Sequence, residues 1–142
     1  MVSAKVVSRY QHGFPGVGAP VRAITGGPLY PNGEVLSLIA ANGEQSIRLW
    51  TRKCAEDIQE MALDSEELHE LLTEALLKGR FIGSEWCQQQ PTGPWAACDA
   101  YCLVRRELMP AARRELDMEY YLKFAIGISG TILLLASCHP SR

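Results

Sequence analysis

The sequence predicts an α+β domain, a helical pair packed on a mostly antiparallel sheet. Residues 51–78 carry apolar side chains at helical spacing behind two capping signals. After Pro94 the pattern changes to extended runs separated by turn residues. The chain has 142 residues, 47% hydrophobic and 21% charged, enough for one core and too short for a separate cofactor domain. Neither a Walker loop nor a GxGxxG dinucleotide fingerprint is present.

Residues 10–33 hold six glycines and four prolines. Such a composition suits neither a long helix nor a central strand. Residues 1–34 are therefore expected to be an arm, disordered or laid over the core, with a short strand at Val21–Ile24. The domain proper is expected over 35–142. Val35–Ala40 reads as a strand, and Asn42-Gly43 as a two-residue hairpin turn leading to a partner strand over Gln45–Trp50.

Two helices follow. Thr51 can cap the first, with Cys54, Ile58, Met61 and Ala62 on one face. Asp64 and Glu67 form a capping-box pattern ahead of Leu68, Leu71, Leu72, Ala75 and Leu76, an apolar stripe. Lys78 ends this helix, and Gly79 suits the position after it. Three strands then run over Ala96–Arg106, Met118–Ile126 and Thr131–His139. Glu107–Asp117 reads as a loop, and Gly127–Gly130 as a tight turn.

Charge is uneven. Residues 1–53 carry six basic and two acidic side chains, residues 54–100 two and ten, and residues 101–142 six and four. The acidic helices read first as a solvated face and second as a surface for a basic partner. No run reaches the roughly 18 apolar residues that span a bilayer, so no membrane partner is expected. The N-terminus lacks the apolar core of a secretion signal, and five cysteines is an odd number. A cytoplasmic location with reduced thiols follows as the expectation. Cys98 and Cys102 have a zinc-like spacing, but on one strand they would sit about 13 Å apart, too far for one ion. Buried thiols acting as small hydrophobes fit better, and no metal or cofactor is expected. No His/Asn pattern supports a nucleophilic cysteine. His12 and His69 read as surface residues, and Trp86 and Trp95 as anchors for the loop between them.

A helical pair ending in glycine is followed by strands reading Cys98-Asp99-Ala100-Tyr101, Tyr120-Tyr121-Leu122-Lys123 and Ser137-Cys138-His139. Over residues 46–139 this arrangement is similar to the RelE-like toxin superfamily, and most of all to the motility quorum-sensing regulator toxins. The resemblance implies a sheet-plus-helices toxin fold, metal-independent cleavage of messenger RNA, and a cognate antitoxin. It points to Tyr121 and to His139, which stands where those toxins carry a terminal basic residue. Two positions depart from the pattern. Gly83-Ser84-Glu85 holds no cation where those toxins place a lysine, and Cys98 replaces a glutamine.

RNA can be cut by its own 2′-hydroxyl, given a base, an acid and cations for the phosphorane charge. His139 suits proton transfer, and Tyr121 can donate a proton or stack on a base. Lys123 joins them as a catalytic candidate, with Arg105, Arg106, Arg113 and Arg114 as RNA-binding candidates. Alternation places Glu119, Tyr121 and Lys123 on one strand face, opposite Tyr120, Leu122 and Phe124. The register expected from a short turn puts His139 opposite Met118 or Glu119. The alternative reading is a non-catalytic module of the same fold that binds a protein or RNA, which the two lost polar positions favour.

Overall fold

The computed structural model describes residues 5–19 and 21–141. The described residues form an α+β fold with three α-helices and one six-stranded sheet. In chain order the elements are β1 (Ala23–Ile24), α1 (Asn32–Asn42), β2 (Ile47–Leu49), α2 (Arg52–Glu60), α3 (Ser65–Lys78), β3 (Arg80–Gln88), β4 (Trp95–Met109), β5 (Arg114–Ile126) and β6 (Leu133–Pro140). The strand order is β1-β3-β4-β5-β6-β2, with every pairing antiparallel except β2 on β6. Among the described residues no helix is long and apolar enough to cross a membrane.

The two expected helices form as their signals dictate. The Thr51 hydroxyl accepts from the Cys54 amide at 3.1 Å and donates to the Ala136 carbonyl at 2.8 Å, so the cap also ties α2 to β6. Asp64 and Glu67 make a complete capping box, and Leu68, Leu71, Leu72, Ala75 and Leu76 are the buried stripe of α3. Gly79 is not in a left-handed conformation, its φ being −78°. Its role is closeness: a Cβ there would lie 2.4 Å from the Ala75 carbonyl oxygen and 2.9 Å from that of Cys102.

Four expectations are corrected. Val35–Ala40 is not a strand but the middle of α1, in which Val35, Leu38 and Ile39 are buried at positions i, i+3 and i+4. Asn42-Gly43 therefore ends a helix and starts a 3-10 turn over Gly43–Ser46, and β2 pairs in parallel with β6 instead of closing a hairpin. Residues 80–88 form β3, a full strand of the sheet that the sequence reading passed over. Glu107–Asp117 is not a loop. β4 and β5 continue as a two-stranded ribbon to Met109↔Arg114, held by cross-strand pairs such as Arg106–Asp117. Beyond Leu103 one face of the ribbon carries the exposed Val104 and Leu108 and the other the half-buried Leu116 and Met118, so neither face is sealed from water.

The described part of the arm belongs to the fold, while residues 1–4 and 20 lie outside the described residues. The β4–β5 ladder starts at Asp99↔Phe124, and residues 5–9 fill the gap below it. The Trp95 amide donates to the Lys5 carbonyl at 2.7 Å, the Val7 amide to the Trp95 carbonyl at 2.8 Å, and the Arg9 amide to the Ile126 carbonyl at 2.7 Å. Phe14 then packs edge-on against Trp86 and tilted against Trp95, with ring centroids 5.0 and 5.5 Å apart. Those two indoles anchor the arm rather than only the loop between them. Asp99, fully buried, accepts from the amides of Leu29 and Tyr30 at 3.0 Å and from the Ser84 hydroxyl at 2.6 Å. α1 starts at Asn32, immediately after this clamp. The Asn32 side chain donates to the Leu76 carbonyl at 2.8 Å and accepts from the Tyr101 hydroxyl at 2.7 Å, joining α1, α3 and the sheet.

Candidate functional site

The sheet has two unlike faces. Tyr101, Leu103, Leu122, Phe124 and Cys138 project toward the helices and are buried. The opposite face carries no helix. By register it holds Arg80 beside Cys102, Glu85 beside Cys98, Tyr121 beside both Cys102 and His139, and Lys123 beside Ser137.

Tyr121 and His139 are direct cross-strand partners. Their rings stack with centroids 5.4 Å apart and planes 24° from parallel. The expected register, with His139 opposite Met118 or Glu119, is off for two reasons. The β5–β6 connection closes through the Gly127 amide and the Ile132 carbonyl, so it is longer than four residues. A bulge between Lys123 and Phe124 then shifts the ladder again. Both changes move His139 toward Tyr121. The His139 Nδ1–H donates to the Pro140 carbonyl at 2.8 Å, which leaves Nε2 of the neutral ring as an acceptor. At the end of β6, where the sheet edge meets α2, a cavity of about 220 Å³ is lined by His139, Pro140 and Ser141 with Asp57, Glu60 and Met61.

Lys123 is mostly covered, and its ammonium donates to Glu85 Oε1 at 2.9 Å. The same nitrogen stands 6.0 Å from the centre of the Tyr121 ring. Burial disfavours the lysine's charge, but Cys87 and Glu85 outweigh it, so its pKa lies above the ordinary value and it stays protonated. Burial raises the Tyr121 pKa, which keeps its proton in place at neutral pH despite the nearby lysine. Glu119 is on the same face. Its carboxylate accepts from the Ser141 hydroxyl at 2.6 Å, the main cause of its lowered pKa.

The arginines divide. Arg105 projects to the helix side, paired with Glu74 at 3.1 Å and Glu107 at 3.5 Å. Arg106 shares the face of Tyr121 but sits four residues beyond Cys102 on β4, about 13 Å along the strand, and pairs with Asp117 and Glu115. Arg113 and Arg114 lie at the tip of the ribbon, some 23 Å from Tyr121 by the same spacing. Tyr121, His139 and Lys123 thus come together, and the four arginines do not join them closely.

Glu85, Cys87, Cys98 and Cys102 belong to this face as well, and the sequence reading did not assign them to it. The available signal was the two-residue spacing of Glu85 and Cys87 on either side of Trp86. Among the described residues no cluster of three or more His, Cys, Asp or Glu is arranged to hold a metal ion. No family model, curated protein or solved structure matches the chain.

Proposed function

We propose that the helix-free face is the site of a metal-independent endoribonuclease, a toxin-like enzyme held in check by a partner protein acting as its antitoxin. The observation that carries this reading is the Tyr121–His139 stack with the Lys123 ammonium beside it. His139 Nε2 takes the proton of a 2′-hydroxyl, whose oxygen attacks the adjacent phosphate. Lys123 meets the charge that develops on the phosphorane oxygens. Tyr121, still protonated, donates to the departing 5′ oxygen. The products are a 2′,3′-cyclic phosphate and a 5′-hydroxyl. Substrate phosphate has to draw Lys123 from Glu85, so the ion pair tunes affinity.

The test is cleavage of a labelled messenger RNA in the presence of a chelator, alongside growth of cells expressing the chain alone. Wild-type protein should cut the RNA and slow growth. Tyr121→Phe and His139→Ala should lower the cleavage rate by about 10²–10⁴-fold while leaving the melting temperature nearly unchanged. RNA that is bound but left intact would instead support the non-catalytic binding module. RNA neither bound nor cut would remove nucleic acid from the function.

A further inference from the structure

Cys87 and Cys98 lie on the helix-free face of the sheet, on adjacent strands. Cys87 pairs with Ala96 and Cys98 with Glu85, so the two cysteines are diagonal neighbours. Lys123, bonded to Glu85, reaches the same spot from β5. Cys87 is 9% exposed and Cys98 fully enclosed. Cys87 is therefore the nearer of the two to solvent, and Cys98 lies deeper. We propose that Cys87 and Cys98 are a peroxide-oxidised pair, with Cys87 as the attacking thiolate and Cys98 as the resolving thiol.

The surroundings support this division of labour. As thiols, Cys87 donates to the Glu85 carbonyl at 3.9 Å and Cys98 to the Ala96 carbonyl at 3.7 Å. Once Cys87 is ionised the neighbouring Cys98 thiol can turn to it, and with the Lys123 charge this holds the Cys87 pKa below the ordinary value although burial opposes the shift. The Cys98 pKa is raised by the same hydrogen bond and by burial, so it keeps its proton. A cysteine beside a cation is the more reactive kind. Cys54 on α2 and Cys138 on β6, both buried, have pKa values pushed up to about 12 by burial and are inert by comparison.

The oxidant is hydrogen peroxide. The Cys87 sulfur attacks one peroxide oxygen, an S–O bond forms and the O–O bond breaks. The departing hydroxide takes a proton from Lys123, which regains one from solvent, and leaves as water. Cys87 is now a sulfenic acid. The Cys98 sulfur attacks it, the S–O bond breaks, and the Cys98 proton leaves with the hydroxyl as a second water. Two thiols become one disulfide, and one peroxide becomes two waters. Diagonal neighbours have Cα atoms roughly 7–8 Å apart and closer Cβ atoms. A disulfide accepts Cα separations up to about 6.8 Å, so closure requires movement on the order of an ångström.

The experiment treats the reduced full-length chain with hydrogen peroxide, blocks remaining thiols with an alkylating agent, and maps peptides by mass spectrometry without reductant. The expected product has lost two hydrogens and links the peptides of Cys87 and Cys98, and Cys102→Ser still forms it. In Cys98→Ser, a sulfenic-acid probe such as dimedone should label Cys87. Lys123→Gln should slow oxidation, because the thiolate loses the cation beside it. Wild-type protein in which both cysteines remain open to alkylation after peroxide would overturn the proposal, as would a disulfide through Cys102. Both readouts are independent of RNA cleavage.

Discussion

Lys123 and Glu85 form an ion pair on the helix-free face. The lysine is 17% exposed in its side chain and the glutamate 42%, so the pair sits half in solvent and is worth on the order of 1 kcal/mol. A phosphate approaching Lys123 competes with that carboxylate. Glu85→Gln should therefore tighten RNA binding several-fold, read by fluorescence anisotropy at fixed ionic strength, and the gain should shrink as salt rises. Affinity that stays the same would take Lys123 out of phosphate recognition. The pairing also shows how far single residues were legible. Tyr121 and Lys123 were placed together by strand alternation alone. Glu85 was not, because its strand carries Gly83 and Ser84 in place of the β-branched residues that mark strands.

At the scale of elements, local signals were read well where they were self-contained. Caps and the 3.6-residue period fix α2 and α3, since both depend on residues within one or two turns of each other. α1 was misread because Val35-Leu36-Ser37-Leu38-Ile39-Ala40 is apolar on most sides. Its helical form is decided by packing against α3 and by the Asn32 bonds to Leu76 and Tyr101, residues far away in sequence. The far part of the β4–β5 ribbon hides for another reason: Pro110, Ala111 and Ala112 at its tip, with arginines and glutamates on either side, have the composition of a connection. The α3–β3 junction yields a prediction. Gly79 has a backbone conformation open to any residue, so Ala would ordinarily be tolerated there. The added methyl would press on the Ala75 and Cys102 carbonyls, which cannot both retreat without disturbing α3 or β4. Gly79→Ala should lower stability by about 1–3 kcal/mol in urea unfolding, comparable to other overpacking changes. An unchanged midpoint would show that the junction has slack.

Across the whole molecule, tyrosines fasten the layers together. Tyr30, whose amide is part of the Asp99 clamp, donates its hydroxyl to the Ala97 carbonyl at 2.6 Å, Tyr101 donates to Asn32 on α1, and Tyr120 donates to Glu107 at 2.7 Å within the β4–β5 ribbon. Burial is the main cause that raises all three pKa values, to about 12 for Tyr101 and Tyr120 and higher still for Tyr30. In the unfolded chain each would titrate near 10. A folded-state pKa above the unfolded one means that the native state holds its proton more tightly. The stability this confers is complete below about pH 10 and is lost as pH rises through the folded values. The melting temperature should therefore fall steeply above about pH 10. Tyrosinate absorbance at room temperature should show a late fraction that ionises only as the fold is lost. Replacing Tyr120 with Phe removes one titrating group and the Glu107 hydrogen bond together, so it should lower stability at neutral pH and flatten its decline in alkali. A wild-type melting temperature that holds steady from pH 9 to about pH 12 would mean that these hydroxyls ionise without disturbing the joints they make.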